Sequence, residues 1–337
     1  MTFKSNLVKF TALLIFISLI SAACSQATPE EYTDIVIGGE EAQEVRGADP
    51  TAPATRTPSP APTGTPTLEP SISPSPTSTV PPFELHLNKA DEYIDNAEFE
   101  LALEELEQAI PEDPNSPDSF FRRGTLYLDL GLYDEAITDF TQVIELDDSI
   151  ARAYSNLGIA YAQKGNFDQA FIEFEKALKI DPEDPQIYIN RGITYITNDQ
   201  GNYALADFDK ALELDPQNAA VYHYRGVLHN LRGENELAIA DLNQAIALDP
   251  EDPENYLARG NYYASINELE KAIDNFTRAI TLAPNFAQAY YGRGIAYANL
   301  FEDENAINDL RKSLEFATNE ATQEAIIEIL KTLNAYP

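Results

Sequence analysis

Six glycines recur along the chain at a constant interval of 34 residues. They are Gly124, Gly158, Gly192, Gly226, Gly260 and Gly294. A unit of that length cannot bury its apolar side chains alone, but a stack of such units buries them between neighbours. The spacing therefore predicts a solenoid, an architecture that more often provides a binding surface than a catalytic site.

Aligning the chain on these glycines divides it into units of 34 residues with the same pattern of side chains. The units are 83–116, 117–150, 151–184, 185–218, 219–252, 253–286 and 287–320. Position 8 is small, positions 4 and 11 are mostly aromatic, and these three positions share one face of a helix. Position 20 is alanine and position 24 is bulky: Leu106, Phe140, Phe174, Phe208, Leu242, Phe276 and Leu310. The pattern predicts two helices per unit that pack a small residue against a large one.

The third unit, ARAYSNLGIAYAQKGNFDQAFIEFEKALKIDPED, strongly resembles a tetratricopeptide repeat, and the other units follow it from residue 83 to 320. The resemblance implies an all-α fold, a right-handed α-solenoid of about seven helix pairs. The first unit departs from the pattern, with Ala90 for glycine and His86 for the aromatic residue, as expected of an end unit. Residues 321–337, with Ile326, Ile329 and Leu330, are predicted to form a C-terminal capping helix.

The boundaries between helices carry their own signals. Ser116, Asp184 and Asp252 each precede a proline, which predicts a capping side chain followed by proline at the first helical position. Position 7 is arginine in five units, at Arg123, Arg191, Arg225, Arg259 and Arg293. Position 23 is acidic in most units, at Asp139, Glu173, Asp207, Asp241 and Asp309. We expect repeated Arg–Asp bridges between the two helices of a unit, with a structural role.

Residues 1–23 resemble an export signal: Lys4 and Lys9 precede an apolar run that is too short to span a bilayer comfortably. Ser21-Ala22-Ala23-Cys24 resembles a bacterial lipobox, although Ser21 stands where that motif favours leucine. Lipidation of Cys24 and cleavage by an ordinary signal peptidase both remain open. Either outcome places the protein outside the cytoplasm, and lipidation would anchor it to a bacterial membrane, at the cell surface or in the periplasm.

Residues 24–82 are predicted to be a disordered tether. From Pro50 to Pro82, 24 of 33 residues are Pro, Thr or Ser, a composition that cannot bury enough apolar area to fold. The tether is interpreted as a passive spacer, with O-glycosylation or recognition of its proline-rich run as alternatives.

The composition excludes several classes of function. The 56 acidic and 22 basic residues give a net charge of −34, which argues against nucleic acid and against adsorption to anionic lipid. Cys24 is the only cysteine, and the three histidines are scattered. We therefore expect no intrachain disulfide, no metal site, no cofactor and no catalytic residues. His229 occupies an aromatic position and is expected in the core.

In tetratricopeptide proteins, positions 2, 5, 9 and 12 of the first helices line a concave groove. The predicted groove residues here, mainly apolar with neutral polar spots, are Arg152, Ser155, Asn156, Ile159, Gln186, Ile189, Asn190, Ile193, Ile196, His223, Val227, Leu257, Asn261, Gln288, Tyr291 and Ile295. Family members that bind a peptide carboxylate use a clamp of basic and asparagine residues, which this groove lacks; only Arg152 with Asn156 and Asn190 hints at one, and the two asparagines are included for that reason. The resemblance implies a membrane-tethered extracytoplasmic scaffold that binds a protein or peptide in this groove. A receptor for a small ligand or glycan in the same groove is the alternative.

Overall fold

The computed structural model describes residues 81–333. The predicted export signal, Cys24 and all but the last two residues of the predicted tether lie outside the described residues, as do residues 334–337. The described part consists of fifteen α-helices and contains no β-strand. Within residues 81–333, no helix combines the length and the apolar character that crossing a bilayer requires.

The helices are 13 or 14 residues long, which matches two helices per 34-residue unit. In chain order they are α1 (Pro82–Asp95), α2 (Phe99–Glu112), α3 (Pro117–Asp129), α4 (Tyr133–Leu146), α5 (Ala151–Gln163), α6 (Phe167–Ile180), α7 (Pro185–Thr197), α8 (Gly201–Leu214), α9 (Ala219–Leu231), α10 (Asn235–Leu248), α11 (Pro253–Ser265), α12 (Leu269–Leu282), α13 (Ala287–Asn299), α14 (Asp303–Phe316) and α15 (Glu320–Thr332).

The described residues fall into two compact units. Residues 81–114 contain α1 and α2, which bury Leu87 and Ala90 on one helix and Ala102, Leu106 and Ala109 on the other. Residues 115–333 contain α3 to α15, that is, six helix pairs and a final single helix. The prediction of an all-α solenoid of seven helix pairs with a C-terminal capping helix is confirmed.

Within each pair of residues 115–333, the glycine at position 8 lets the first helix approach a large side chain of the second. A Cβ atom added to Gly192 would lie 2.7 Å from Phe208, and one added to Gly260 would lie 2.6 Å from Phe276. Both distances are shorter than real Cβ contacts, so a larger residue would force the helices apart. The predicted packing of small against large is confirmed at these pairs.

Two of the three predicted helix caps are present. The Asp184 carboxylate accepts the N–H of Gln186 at 2.9 Å, and the Asp252 carboxylate accepts the N–H of Glu254 at 2.8 Å. The prediction for Ser116 is wrong, since its side chain makes no capping hydrogen bond. Pro117, which cannot donate a backbone N–H and has its φ preset for a helix, is sufficient to begin α3.

Candidate functional site

The predicted arginine–aspartate bridges form in four units of residues 115–333. In each, the arginine donates two parallel hydrogen bonds to one carboxylate, at 2.7–2.9 Å. The pairs are Arg123–Asp139, Arg191–Asp207, Arg225–Asp241 and Arg293–Asp309. Where position 23 is Asn275, Arg259 donates a hydrogen bond to its side-chain oxygen at 2.8 Å. The structural role expected for these bridges agrees with this geometry.

The same arginines make further contacts that sequence reasoning missed. Each lies over the aromatic ring at position 4 of its own unit, for example Arg225 over Tyr222 at 5.6 Å. Arg225 also donates to Asp209 of the preceding unit at 2.7 Å, and Arg293 donates to Thr277 of the preceding unit at 2.9 Å. The polar residue at position 25 of the preceding unit is the sequence feature from which these contacts could have been predicted. These guanidinium groups join successive units.

Burial changes the electrostatics of the Arg191–Asp207 pair. Burial raises the pKa of the Asp207 carboxyl group, and the hydrogen bond from Arg191 only partly offsets that effect. Burial also opposes the charge of Arg191, but the hydrogen bond from this side chain to Asp207 raises the pKa of the arginine. Neither group is therefore free to act on a ligand.

The unit 151–184 replaces the arginine by a lysine from its second helix. Leu157 occupies position 7, and Glu173 at position 23 is buried. Lys176 donates to Glu173 at 2.9 Å and lies 5.8 Å from the centre of the Tyr154 ring. The cation, the carboxylate and the ring are thus all retained, with the cation supplied from α6 instead of α5.

The structure divides the predicted groove residues by exposure. Seven are buried: Ser155, Asn156, Ile159, Ile189, Asn190, Ile193 and Tyr291. Seven are partly exposed: Gln186, Ile196, His223, Val227, Leu257, Asn261 and Ile295. Arg152 and Gln288 are exposed. That these residues bind a partner stays a prediction, and the exposed and partly exposed ones are those that a partner can reach without rearrangement.

The polar members of this set bond mainly to one another. Gln186 donates to the side-chain oxygen of Asn190 at 3.0 Å, and Asn190 donates to the Ser155 hydroxyl at 3.1 Å. The side-chain N–H₂ group of Asn156 has no hydrogen-bond partner. Asn156 and Asn190 occupy the same position of successive units, but only Asn190 finds Ser155 in the unit before it. The corresponding residue before Asn156 is Phe121, whose side chain offers no hydrogen-bond acceptor.

His223 is held by the next unit. Its Nδ1 lies 3.0 Å from the side-chain oxygen of Asn255, whose own N–H₂ group donates to the carbonyl of Asp249. Nδ1 therefore carries the proton and donates it to Asn255. Burial lowers the pKa of His223 and raises the pKa of the neighbouring Asp252. The arrangement favours a neutral imidazole in a structural contact.

A small cleft opens between the first helices α5 and α7. Its volume is about 20 Å³, which is room for about one water molecule or methyl group. It is lined by Ile159, Ala162, Gln163, Asn190, Ile193, Thr194 and Thr197. Three of these, Ile159, Asn190 and Ile193, are predicted groove residues. Sequence reasoning did not identify the cleft, which depends on how closely two helices approach.

Two unusual residues lie outside the predicted set. Asp129 has a carboxylate oxygen without a hydrogen-bond partner, and burial raises the pKa of this group to about 7. His229 is buried, as expected, and its Nδ1 lies 2.5 Å from Glu234. In residues 81–333, no group of three or more His, Cys, Asp or Glu side chains is arranged to hold a metal ion.

Family models cover the helical region in overlapping segments. Models described as tetratricopeptide repeat match residues 87–140, 121–185, 173–207, 207–240 and 287–320. A model described as TPR repeat matches residues 229–266 and 260–300. No curated protein sequence matches the chain.

Solved structures show the same fold. A tetratricopeptide repeat protein from Parabacteroides merdae has a TM-score of 0.59 at 23% identity, with 75% of this chain and 98% of that chain covered. The APC/C hetero-tetramer Cut9-Hcn1 has a TM-score of 0.58 at 21% identity, with 75% of this chain and 50% of that chain covered.

Proposed function

Because this chain belongs to the tetratricopeptide-repeat family, whose members are generally non-catalytic scaffolds for protein interaction, we propose that it is a membrane-tethered extracytoplasmic adaptor. It holds a segment of another protein along the predicted groove residues of α5, α7, α9, α11 and α13. It performs no catalysis of its own.

The observation that carries this proposal is the low charge of the predicted groove in a very acidic chain. The whole chain has a net charge of −34, whereas Arg152 is the one Asp, Glu, Lys or Arg among the sixteen predicted groove residues. The acidic residues at position 23, such as Asp207 and Asp241, are instead bound by arginines. An uncharged surface is readily desolvated by a partner, since burying unpaired charge is costly.

The proposal of a membrane anchor is based on Cys24, the single cysteine of the chain, which follows an apolar run and three small residues. A thiol at that place suits lipidation better than any role in the folded region. A lipid there, followed by a long Pro-, Thr- and Ser-rich stretch, would hold the helical region away from the membrane surface.

Site-specific photo-crosslinking in cells tests the groove. A photoreactive residue at Arg152 or Gln288, both exposed, is expected to yield the same crosslinked protein. The control is Ile172, which is 47% exposed on the second helix α6. Adducts from Ile172 alone, or equal adducts from all three positions, would contradict the groove proposal.

The lipid anchor is tested separately with the Cys24→Ala variant. We expect the wild-type protein to sediment with membranes and to carry the added mass of a lipid at its mature N-terminus. The variant should lose both properties. A variant that keeps the membrane association and the mature mass of the wild type would rule out the lipid anchor.

A further inference from the structure

We infer that the α5–α7 cleft receives one small aliphatic side chain, from a segment that is uncharged at this anchor and carries basic residues on both sides of it. The inference rests on the proposed function, because it specifies the chemistry of the segment that the groove holds. The residues that carry it are the seven that line the cleft.

The size of the cleft selects the anchor. A volume of about 20 Å³ accommodates a group of about the size of a methyl. Alanine offers its single methyl and valine one of its two, whereas a flat aromatic ring would have to push α5 and α7 apart. Close-packed helices resist that displacement.

The polar groups around the cleft are already bonded within the protein. Asn190 donates to Ser155 and accepts from Gln186. The hydroxyls of Thr194 and Thr197 donate to the backbone carbonyls of Asn190 and Ile193, at 2.9 and 3.1 Å. Gln163 also has a partner.

The hydroxyl protons of Thr194 and Thr197 are thus committed within the protein, so a ligand that accepts hydrogen bonds finds few free donors in the cleft, which is unfavourable. The walls provided by Ile159, Ala162 and Ile193 favour an apolar group instead. This chemistry disfavours a sugar or another polar small molecule as the occupant of this cleft.

The charge of the chain selects the flanking residues. No Asp, Glu, Lys or Arg lines the cleft, yet the chain carries a net charge of −34. This net negative charge attracts a cationic segment and repels an acidic one. Basic residues beside an uncharged anchor suit both the uncharged cleft and the acidic chain that carries it.

The test is a selection of random peptides on the full chain with Cys24→Ser. Affinities of the selected peptides are then measured by fluorescence anisotropy. The cleft is filled by Ala162→Leu and, in a second variant, by Thr197→Leu, which enters the cleft from α7. The matched control is Ala240→Leu, which makes the same type of change at an exposed alanine of the second helix α10, outside the cleft and the predicted groove. Circular dichroism checks that each variant is folded.

We expect the selected peptides to share an alanine- or valine-sized anchor between basic residues. Their affinity should fall at least 10-fold in both cleft-filling variants, stay unchanged in Ala240→Leu, and weaken as salt is added. Peptides that bind folded Ala162→Leu and Thr197→Leu as tightly as the wild type would overturn the inference and leave the proposed function standing. Selection of acidic or aromatic anchors would overturn it as well. A failure to select any peptide, together with no crosslinks from Arg152 or Gln288, would overturn both.

Discussion

Arg225 shows how much structure one side chain of this protein organises. Its guanidinium group bonds Asp241 of its own unit and Asp209 of the preceding unit, and it lies over the Tyr222 ring. Arginine suits this place because its planar group presents several donors in fixed directions while its faces stack on an aromatic ring. A lysine at the same position could supply the charge but not this set of contacts.

Asp129 makes stability depend on pH. Its pKa is about 7 in the folded protein and about 4 in an unfolded chain, so the folded state binds the proton more tightly. The free energy of unfolding should therefore decrease as the pH rises from about 4 to about 7, by roughly 2–4 kcal/mol in total. The Asp129→Asn variant lacks this contribution. In urea titrations, its free energy of unfolding should therefore rise relative to that of the wild type as the pH increases over that range.

The control for Asp129 is Asp274→Asn, which changes an exposed carboxylate on α12. Its stability should run parallel to that of the wild type at every pH. Parallel profiles for Asp129→Asn as well would show that Asp129 titrates normally.

Phe301 is held in a backbone conformation that a bulky residue rarely adopts. Its φ is +64° and its side chain is 77% exposed, in the turn between α13 and α14. The equivalent residues of three other units are Gly131, Gly165 and Gly233, also with positive φ. Phe301→Gly should relieve the strain and raise the free energy of unfolding by about 1 kcal/mol.

Chemical denaturation measures this gain. Asn267→Gly is the matched control, because Asn267 has a φ of +62° at the equivalent turn and asparagine tolerates that conformation. Its gain should be clearly smaller. If Phe301→Gly is less stable than the wild type, the exposed ring makes a contact that outweighs the strain.

At the scale of helices, each pair is joined by contacts that recur at the same positions. Alanine at position 20 and a large residue at position 24 are buried, as in Ala204 with Phe208. The hydroxyls of Tyr188 and Tyr222 donate to the carbonyls of Pro182 and Pro216 in the preceding turns, at 3.1 and 3.3 Å. Where position 4 is one of these tyrosines, its hydroxyl thus fixes the loop before its helix.

Breaking the Arg191–Asp207 bridge tests the coupling of α7 to α8. Arg191→Gln leaves the buried Asp207 carboxylate without its charged partner, and should cost about 3–5 kcal/mol at neutral pH. In a double-mutant cycle with Asp207→Asn, the two changes should differ from additivity by about 1–3 kcal/mol. The cost of Arg191→Gln should shrink as the pH falls, since the pKa of Asp207 is already raised by burial and protonation removes the unpaired charge.

An exposed ion pair on α8 provides the comparison. Lys210 lies 3.0 Å from Glu213, which is largely exposed, so Lys210→Gln should cost no more than about 1 kcal/mol. Additive effects of Arg191→Gln and Asp207→Asn would mean that the two side chains do not stabilise each other.

At the scale of the molecule, stability in a solenoid passes between neighbouring units. The last helix, α15, buries Ile326, Ile329 and Leu330 in a cluster with Leu310 and Tyr291. No further unit follows in the described residues, so α15 shields the apolar surface that another repeat would cover. This explains why its sequence departs from the 34-residue pattern.

Truncation after Ala317 removes this shield. Hydrogen exchange should become faster in α13 and α14, where Tyr291 and Leu310 lose their cover, while α3 to α6 keep their protection. The full chain under the same conditions is the reference. Equal loss of protection from α3 to α14 would indicate that the helices unfold as one cooperative block instead of a series of coupled neighbours.

Repeated local features could be predicted from the sequence. The helix pairs, the approach at Gly192 and Gly260, and the Arg191–Asp207 bridge follow from spacings that recur in each unit. The second contact of Arg225 was missed because it depends on the neighbouring unit. The cap at Ser116 failed because the proline that follows is enough to begin the helix.

By itself, the sequence determined the class of the fold, because a constant period and a matching set of small and large residues admit one way of stacking. Only the tertiary structure decided which predicted groove residues are accessible, as the difference between buried Ile193 and exposed Gln288 shows. The presence of the α5–α7 cleft and the raised pKa of Asp129 also become apparent only in the tertiary structure. The physical reason is that burial depends on how closely neighbouring helices approach, and that distance is set by side chains from several units together.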